Sequence, residues 1–181
     1  MMICAEWWAF EVLIVLGGVI GVDALASIII VMSICALIFM VPLGIQEATC
    51  GIIGNCIGAN NVPLAKRFFS IITKFTLASI IVIGTVIFLA RKNIVSLFTK
   101  DETIIDMTEK VLILVACMLL TDGMQGYLSG PIRALGLQQK ASYVAIACHW
   151  LVAIPLAAAL GIWQEMGPMG LMAGEAIAVT F

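Results

Sequence analysis

The sequence predicts an all-α polytopic transmembrane helix bundle of about six spans. Two observations carry this. Apolar residues make up 63% of the chain and charged residues 11%, with a mean hydropathy of +1.18. Soluble domains have about 45–50% apolar and about 25% charged residues, so the excess is too large for a core buried in water. Second, the apolar residues fall into long blocks separated by short polar clusters. With roughly 20 residues per crossing, 181 residues accommodate about six or seven spans. Alternation at strand length is absent, and helices satisfy their backbone hydrogen bonds within each segment.

The blocks are Met1–Val22, Leu25–Ile45, Phe68–Ala90, Val111–Tyr127, Ala141–Ile162 and Met169–Phe181. The Gly58-Ala59-Asn60-Asn61-Val62-Pro63 cluster ends the second helix. Pro63 suits the first turn of a short helix, Leu64 to Phe69, leading into the third span. Arg91 to Lys110 reads as a solvated loop in which Thr99 or Asp101 caps a helix entering the fourth span. Residues 136–140 and 164–168 join the last three spans. The first and last blocks read as cut. Glu6 lies barely a turn from the start, and the last 13 residues reach about 20 Å against a hydrocarbon core of about 30 Å.

Composition also excludes functions. Net charge is −2 and no basic cluster exceeds two residues, which argues against nucleic acid as a partner. The six cysteines lack CxxC spacing and read as small buried thiols. With a single histidine, a zinc site is improbable. The N-terminus lacks the basic region of a signal peptide. Outside the third apolar block, which holds Lys74, basic residues divide evenly between the two sets of loops: Lys66, Arg67, Arg133 and Lys140 on one side, Arg91, Lys92, Lys100 and Lys110 on the other. Charge counting therefore leaves orientation open.

Carboxylates at membrane depth are costly and are functional candidates by default. Asp122 sits about eleven residues into the fourth block, followed by Gly123, Gln125 and Gly126, small residues that allow close helix approach. Its alternatives are a proton- or cation-binding role and a neutral interhelical hydrogen bond. Glu6 reads either as a cavity acid or as a terminal residue at the membrane surface. Glu11 lies about 140° from Glu6 around a helix, so the two do not share a face. Asp23 reads as a cap of the second helix or as a further acid of the site. Glu47 and Glu175 are further acids in apolar context, and His149 reads as a hydrogen-bonding residue or a relay member. Trp7, Trp8, Phe10, Tyr127, Tyr143 and Trp150 are candidates for a cation–π cavity or for interfacial anchors, and Gln125 is a candidate cavity residue. Pro42, Pro131 and Pro155 can each kink a helix. An intramembrane hydrolase is disfavoured, because Asp122 has no companion aspartate–glycine motif.

These residues resemble a known family. Cys4-Ala5-Glu6-Trp7-Trp8-Ala9-Phe10-Glu11 is similar to C-L/V-E-W-W-x-F/Y-E of eukaryotic multidrug and toxic compound extrusion (MATE) transporters. Val41-Pro42-Leu43-Gly44, Asn55-Cys56-Ile57-Gly58-Ala59-Asn60-Asn61, Asp122-Gly123-Met124-Gln125-Gly126 and Leu128 to Gln138 follow in the family's order and spacing. So do Val152 to Leu156 and Gly170-Leu171. The resemblance covers nearly the whole chain and implies the C-terminal lobe of a two-lobe transporter, residues 1–181, with its first and last spans truncated. It implies a secondary antiporter that exports organic, often cationic, compounds in exchange for H+ or Na+, with no resident cofactor and no enzymatic activity. By position, Glu6 resembles the cavity carboxylate of the seventh span and Asp122 its partner in the tenth. Glu11 and Asp23 match positions where acids are frequent. The implied partners are a small organic substrate, the lipid bilayer and the missing N-terminal lobe. The implied membrane is the plasma membrane or a vacuolar or endosomal one, with Lys66, Arg67, Arg133 and Lys140 on the cytosolic side. Ile52, Cys56, Glu47 and Ala145 depart from the family's usual arginine, glutamate, small residue and asparagine. The alternative is a lone half-transporter or gene fragment that transports nothing by itself and acts at most as a membrane interaction partner.

Overall fold

The computed structural model describes residues 2–179, and side chains from residue 7 onward. Among them every regular element is helical: α1 (Met2–Ile20), α2 (Val22–Gly58), α3 (Val62–Ser96), α4 (Glu102–Ala134), α5 (Gln138–Trp163) and α6 (Gly167–Val179). Helices α2, α3 and α5 are long and apolar enough to cross a membrane, and α1 contributes a shorter apolar stretch, Trp7–Ile20. The six apolar blocks correspond to the six helices, so the all-α membrane bundle stands.

Helix ends follow local chemistry. Gly21 alone separates α1 from α2, at a φ of 158° that side chains rarely adopt. Asp23 does not cap α2: the N-cap is Gly21, with no side-chain hydrogen bond, and Asp23 lies exposed in the first turn. Helices α2 and α4 both end in Schellman turns. Asn60 (φ 53°) and Gly136 (φ 73°) take the left-handed position, and Asn61 and Leu137 amides bond back to the Cys56 and Ile132 carbonyls. Pro63 stands in the first turn of α3, where Asn61 Oδ1 accepts the Leu64 amide at 3.1 Å. No separate short helix precedes the third span.

Within the stretch from Arg91 to Lys110 the loop is confined to residues 97–101. Helix α3 runs to Ser96 and α4 begins at Glu102, capped by Asp101, whose Oδ1 accepts the Thr103 amide at 2.9 Å. The charges that suggested a loop stabilise helix ends outside the hydrocarbon. Arg91 pairs with Glu109 across α3 and α4 at 2.8 Å, and Lys110 with Asp106 one turn away at 2.7 Å. Thirty-five residues of α3 span about 52 Å, well beyond a hydrocarbon core of about 30 Å.

Helices α2 and α4 form the centre. Gly123, Gly126 and Gly130 lie along one face of α4. A Cβ on Gly126 would meet the Phe39 ring at 3.0 Å, and one on Gly130 would meet the Gln46 carbonyl. Helix α3 packs against both central helices, α1 against α2 and α5, and α6 against α4 and α5. Helix α5 contains two π-helical stretches, Ala147–Ala153 and Ala159–Trp163, on either side of the turn that carries Pro155. Proline removes a backbone donor and crowds the preceding turn, and widening the helix accommodates it. Apolar packing concentrates at the end where α1 meets α2 and α3 meets α4, with Leu13, Ile28, Val31, Val95, Val111 and Leu112 fully buried. A cavity lies toward the opposite end.

Candidate functional site

Three helices present the same spacing, i, i+3, i+4 and i+7, to this cavity, so each offers one continuous face. Helix α1 contributes Trp7, Phe10, Glu11 and Ile14. Helix α2 contributes Met32, Cys35, Ala36 and Phe39, and α4 contributes Asp122, Gln125, Gly126 and Ser129. His149, in the first π-helical stretch of α5, adds a fourth wall. The cavity measures about 120 Å³. A smaller space of about 20 Å³ continues from Asp122 and Cys35 between α2 and α4, room for a single water molecule.

The wall is mixed in character. Trp7, Phe10 and Phe39 supply aromatic rings, Gln125 and Ser129 supply neutral polar groups, and Glu11 of α1 and Asp122 of α4 supply carboxylates. Glu11 is exposed and Asp122 is half-buried. An apolar space with a few convergent polar groups is the usual form of a small-molecule site. Carboxylates beside aromatic faces suit an organic cation in particular. Among the described residues, no group of three His, Cys, Asp or Glu side chains is placed to hold a metal ion.

Of the sequence-predicted site residues, the fold brings Glu11, Asp122, Trp7, Phe10 and Gln125 to one cavity. The side chain of Glu6 lies outside the described residues. Asp23 sits in the first turn of α2 and does not line the cavity. Tyr127 is fully buried on the other face of α4. Its hydroxyl shares a hydrogen bond with Thr73 of α3 at 2.8 Å, and its ring stacks on Phe69 at 6.1 Å. Tyr143 is 66% exposed and its hydroxyl accepts a hydrogen bond from Gln139 at 3.4 Å, away from the cavity. Neither tyrosine lines it: each follows its own helical face, and the cavity face lies elsewhere.

Sequence reasoning missed Met32, Cys35, Phe39 and Ser129, and did not link His149 with Glu175. Ser129 was findable, because it falls seven residues beyond Asp122 on the same face. The α2 face has no polar anchor to mark it. Glu175 is fully buried, and its Oε1 lies 3.2 Å from His149 Nε2. Glu47, the unusual acid of α2, meets Arg133 of α4 at 2.5 Å.

Fold and site together define a helical membrane bundle with a carboxylate- and aromatic-lined cavity, an architecture shared with membrane transporters. More particularly, the chain belongs to the MatE family, whose model matches residues 1–159. It is 32% identical over 177 residues to Protein DETOXIFICATION 13 of Arabidopsis thaliana, covering 96% of this chain and 36% of that protein. It is 27% identical over 181 residues to human Multidrug and toxin extrusion protein 1, covering 100% of this chain and 32% of that one. It superposes on the eukaryotic MATE transporter AtDTX14 with a TM-score of 0.93 at 27% identity, over 98% of this chain and 40% of that one. A Vibrio cholerae MATE transporter, VcmN in its bent form, shares the fold at a TM-score of 0.85 and 19% identity, over 97% of this chain and 41% of that one. The chain spans about a third of the length of the curated relatives it matches.

Proposed function

We propose that this chain is the C-terminal six-helix lobe of a secondary antiporter that exports organic, often cationic, compounds in exchange for protons or sodium. The observation that carries this is the presence of two carboxylates, Glu11 of α1 and Asp122 of α4, in the lining of one aromatic-lined cavity. Family membership and the extrusion named in the relatives' descriptions support it. A cation entering this space meets negative charge and ring faces together, and a proton that neutralises a carboxylate removes part of that attraction. Two ligands that oppose each other's binding at one site are coupled, and the coupling is reciprocal. Alternation of the cavity between the two sides of the membrane turns that competition into exchange.

The cavity's size supports the lobe assignment. Sites for drug-sized molecules measure about 300–1,000 Å³, and this one measures about 120 Å³. The lobe then supplies part of a larger cavity and the N-terminal lobe the rest, in a plasma, vacuolar or endosomal membrane. The same small volume favours a second reading, in which the 181 residues alone move nothing. Reconstitution separates the two. The intact transporter in proteoliposomes accumulates ethidium when an outward proton or sodium gradient is imposed, and a matching ionophore abolishes the accumulation. Accumulation that survives collapse of both gradients refutes antiport. Accumulation by the 181-residue chain alone refutes the need for a second lobe.

A further inference from the structure

Glu175 presents an unusual burial problem. Its side chain is 0% exposed, and neither carboxyl oxygen has an aligned hydrogen-bond donor among the described residues. The cause is close packing of α5 on α6. A Cβ on Gly174 would fall into the Ala157 backbone, and one on Gly170 would fall 2.6 Å from the Leu160 carbonyl carbon. These glycines bring the two backbones together and shut Glu175 between them. The imidazole of His149 approaches it, with Nε2 3.2 Å from Oε1. That distance is within ion-pair reach, although the approach is not aligned well enough for a good hydrogen bond.

The other imidazole nitrogen fixes the proton count. His149 Nδ1 lies 2.9 Å from the Ala145 carbonyl oxygen. A carbonyl only accepts, so Nδ1 carries a hydrogen and donates it. The variable proton of the pair therefore belongs to Nε2 or to the Glu175 carboxyl. With no proton there, a nitrogen lone pair would face a buried carboxylate. With two, a buried positive charge would result. Imidazolium with carboxylate, and neutral imidazole with carboxylic acid, each hold one proton and carry no net charge. Burial of an uncompensated charge is strongly disfavoured.

We propose that His149 and Glu175 form a proton-binding pair in the cavity wall, holding one proton as a net-neutral unit. It is separate from the carboxylates of α1 and α4. His149 is its cavity end, since the same imidazole lines the site. The titratable groups sharing that cavity with it are Glu11 of α1, Cys35 of α2 and Asp122 of α4. On the α6 side the described ionisable partner is Glu175 itself. Loss of the proton places one negative charge in the wall, which draws an organic cation inward. The pair's use in transport rests on the exchange reading above, whereas its existence does not.

The sequence contains a single histidine, so its imidazole can be observed directly. The protein is produced with 15N-histidine, reconstituted in lipid nanodiscs and titrated by NMR, with His149→Gln assigning the resonances. The wild type keeps Nδ1 protonated throughout. In Glu175→Gln the titration midpoint of Nε2 moves by about one pH unit or more, because coupled groups titrate as a pair. An unmoved midpoint overturns the proposal. If Glu175→Gln does not fold, the wild type alone decides: an unprotonated Nδ1 at neutral pH overturns the proposal, and a protonated Nδ1 beside an Nε2 that titrates together with the infrared carboxylic-acid band of a buried glutamate upholds it. None of these readouts involves transport, so failure of the pair and failure of antiport remain distinguishable.

Discussion

The cavity contrasts with Tyr127, one residue beyond its Gly126 wall position. Tyr127 reads from the sequence as a cation-binding aromatic or an interfacial anchor, yet its hydroxyl bonds to Thr73 and its ring stacks on Phe69. It fastens α4 to α3. Tyr127→Phe is therefore expected to lower stability by about 0.5–1 kcal/mol, the usual contribution of one interhelical hydrogen bond. Ethidium binding is expected to stay at the wild-type level. Chemical denaturation and fluorescence titration measure the two effects, and a loss of affinity with unchanged stability would return Tyr127 to the cavity. The sequence shows which residue types can carry charge and rings. It does not show which way a single residue points unless a spacing pattern fixes the face. Trp7 and Glu11 share such a pattern, as do Asp122 and Gln125, and these four meet in the cavity. His149 and Glu175 lie 26 positions apart on different helices, and no periodicity links them.

Among the elements, the central α2–α4 pair has both an apolar seam and an ionic clasp. The seam was legible in the glycines after Asp122, which admit Phe39, Pro42 and Gln46 of α2. The clasp, Glu47 with Arg133, was not, because its partners are 86 residues apart. Its side chains are 58% and 27% exposed, respectively, and partly exposed ion pairs contribute little. A double-mutant cycle with Glu47→Gln and Arg133→Gln is expected to give a coupling below about 1 kcal/mol. A coupling of several kcal/mol would mean that the clasp is shielded from water in the assembled protein. The stretch from Arg91 to Lys110 shows a second limit. Hydropathy reports which part of a helix meets lipid, not where the helix stops. Charged residues that leave the hydrocarbon therefore look like a long loop although α3 and α4 leave only residues 97–101 between them.

At the scale of the whole molecule, the exposed apolar side of α3 suits contact with lipid. On α3, Ile71, Phe75, Val82, Val86 and Leu89 are all more than half exposed and spaced along one side. An arginine at the centre of a span costs about 2.5–3.5 kcal/mol on insertion scales. Val82→Arg is thus expected to reduce membrane insertion of α3, read by glycosylation mapping, while Leu97→Arg at the helix end is expected to insert normally. Equal insertion of both would place this face against protein or water. The number and order of the helices, and the family, were legible because composition, block length and motif order all pointed the same way. The shape of the cavity was not, because it depends on how four helix faces rotate toward one another.

The account's central claim is that carboxylates in this cavity exchange protons for an organic cation. The most direct measurement is ethidium accumulation driven by a pH gradient in proteoliposomes, comparing the intact wild-type protein with Asp122→Asn and Glu11→Gln. The account predicts that both substitutions abolish gradient-driven accumulation while the variants remain folded and membrane-inserted. Accumulation by Asp122→Asn at the wild-type rate, still driven by the proton gradient, would contradict it.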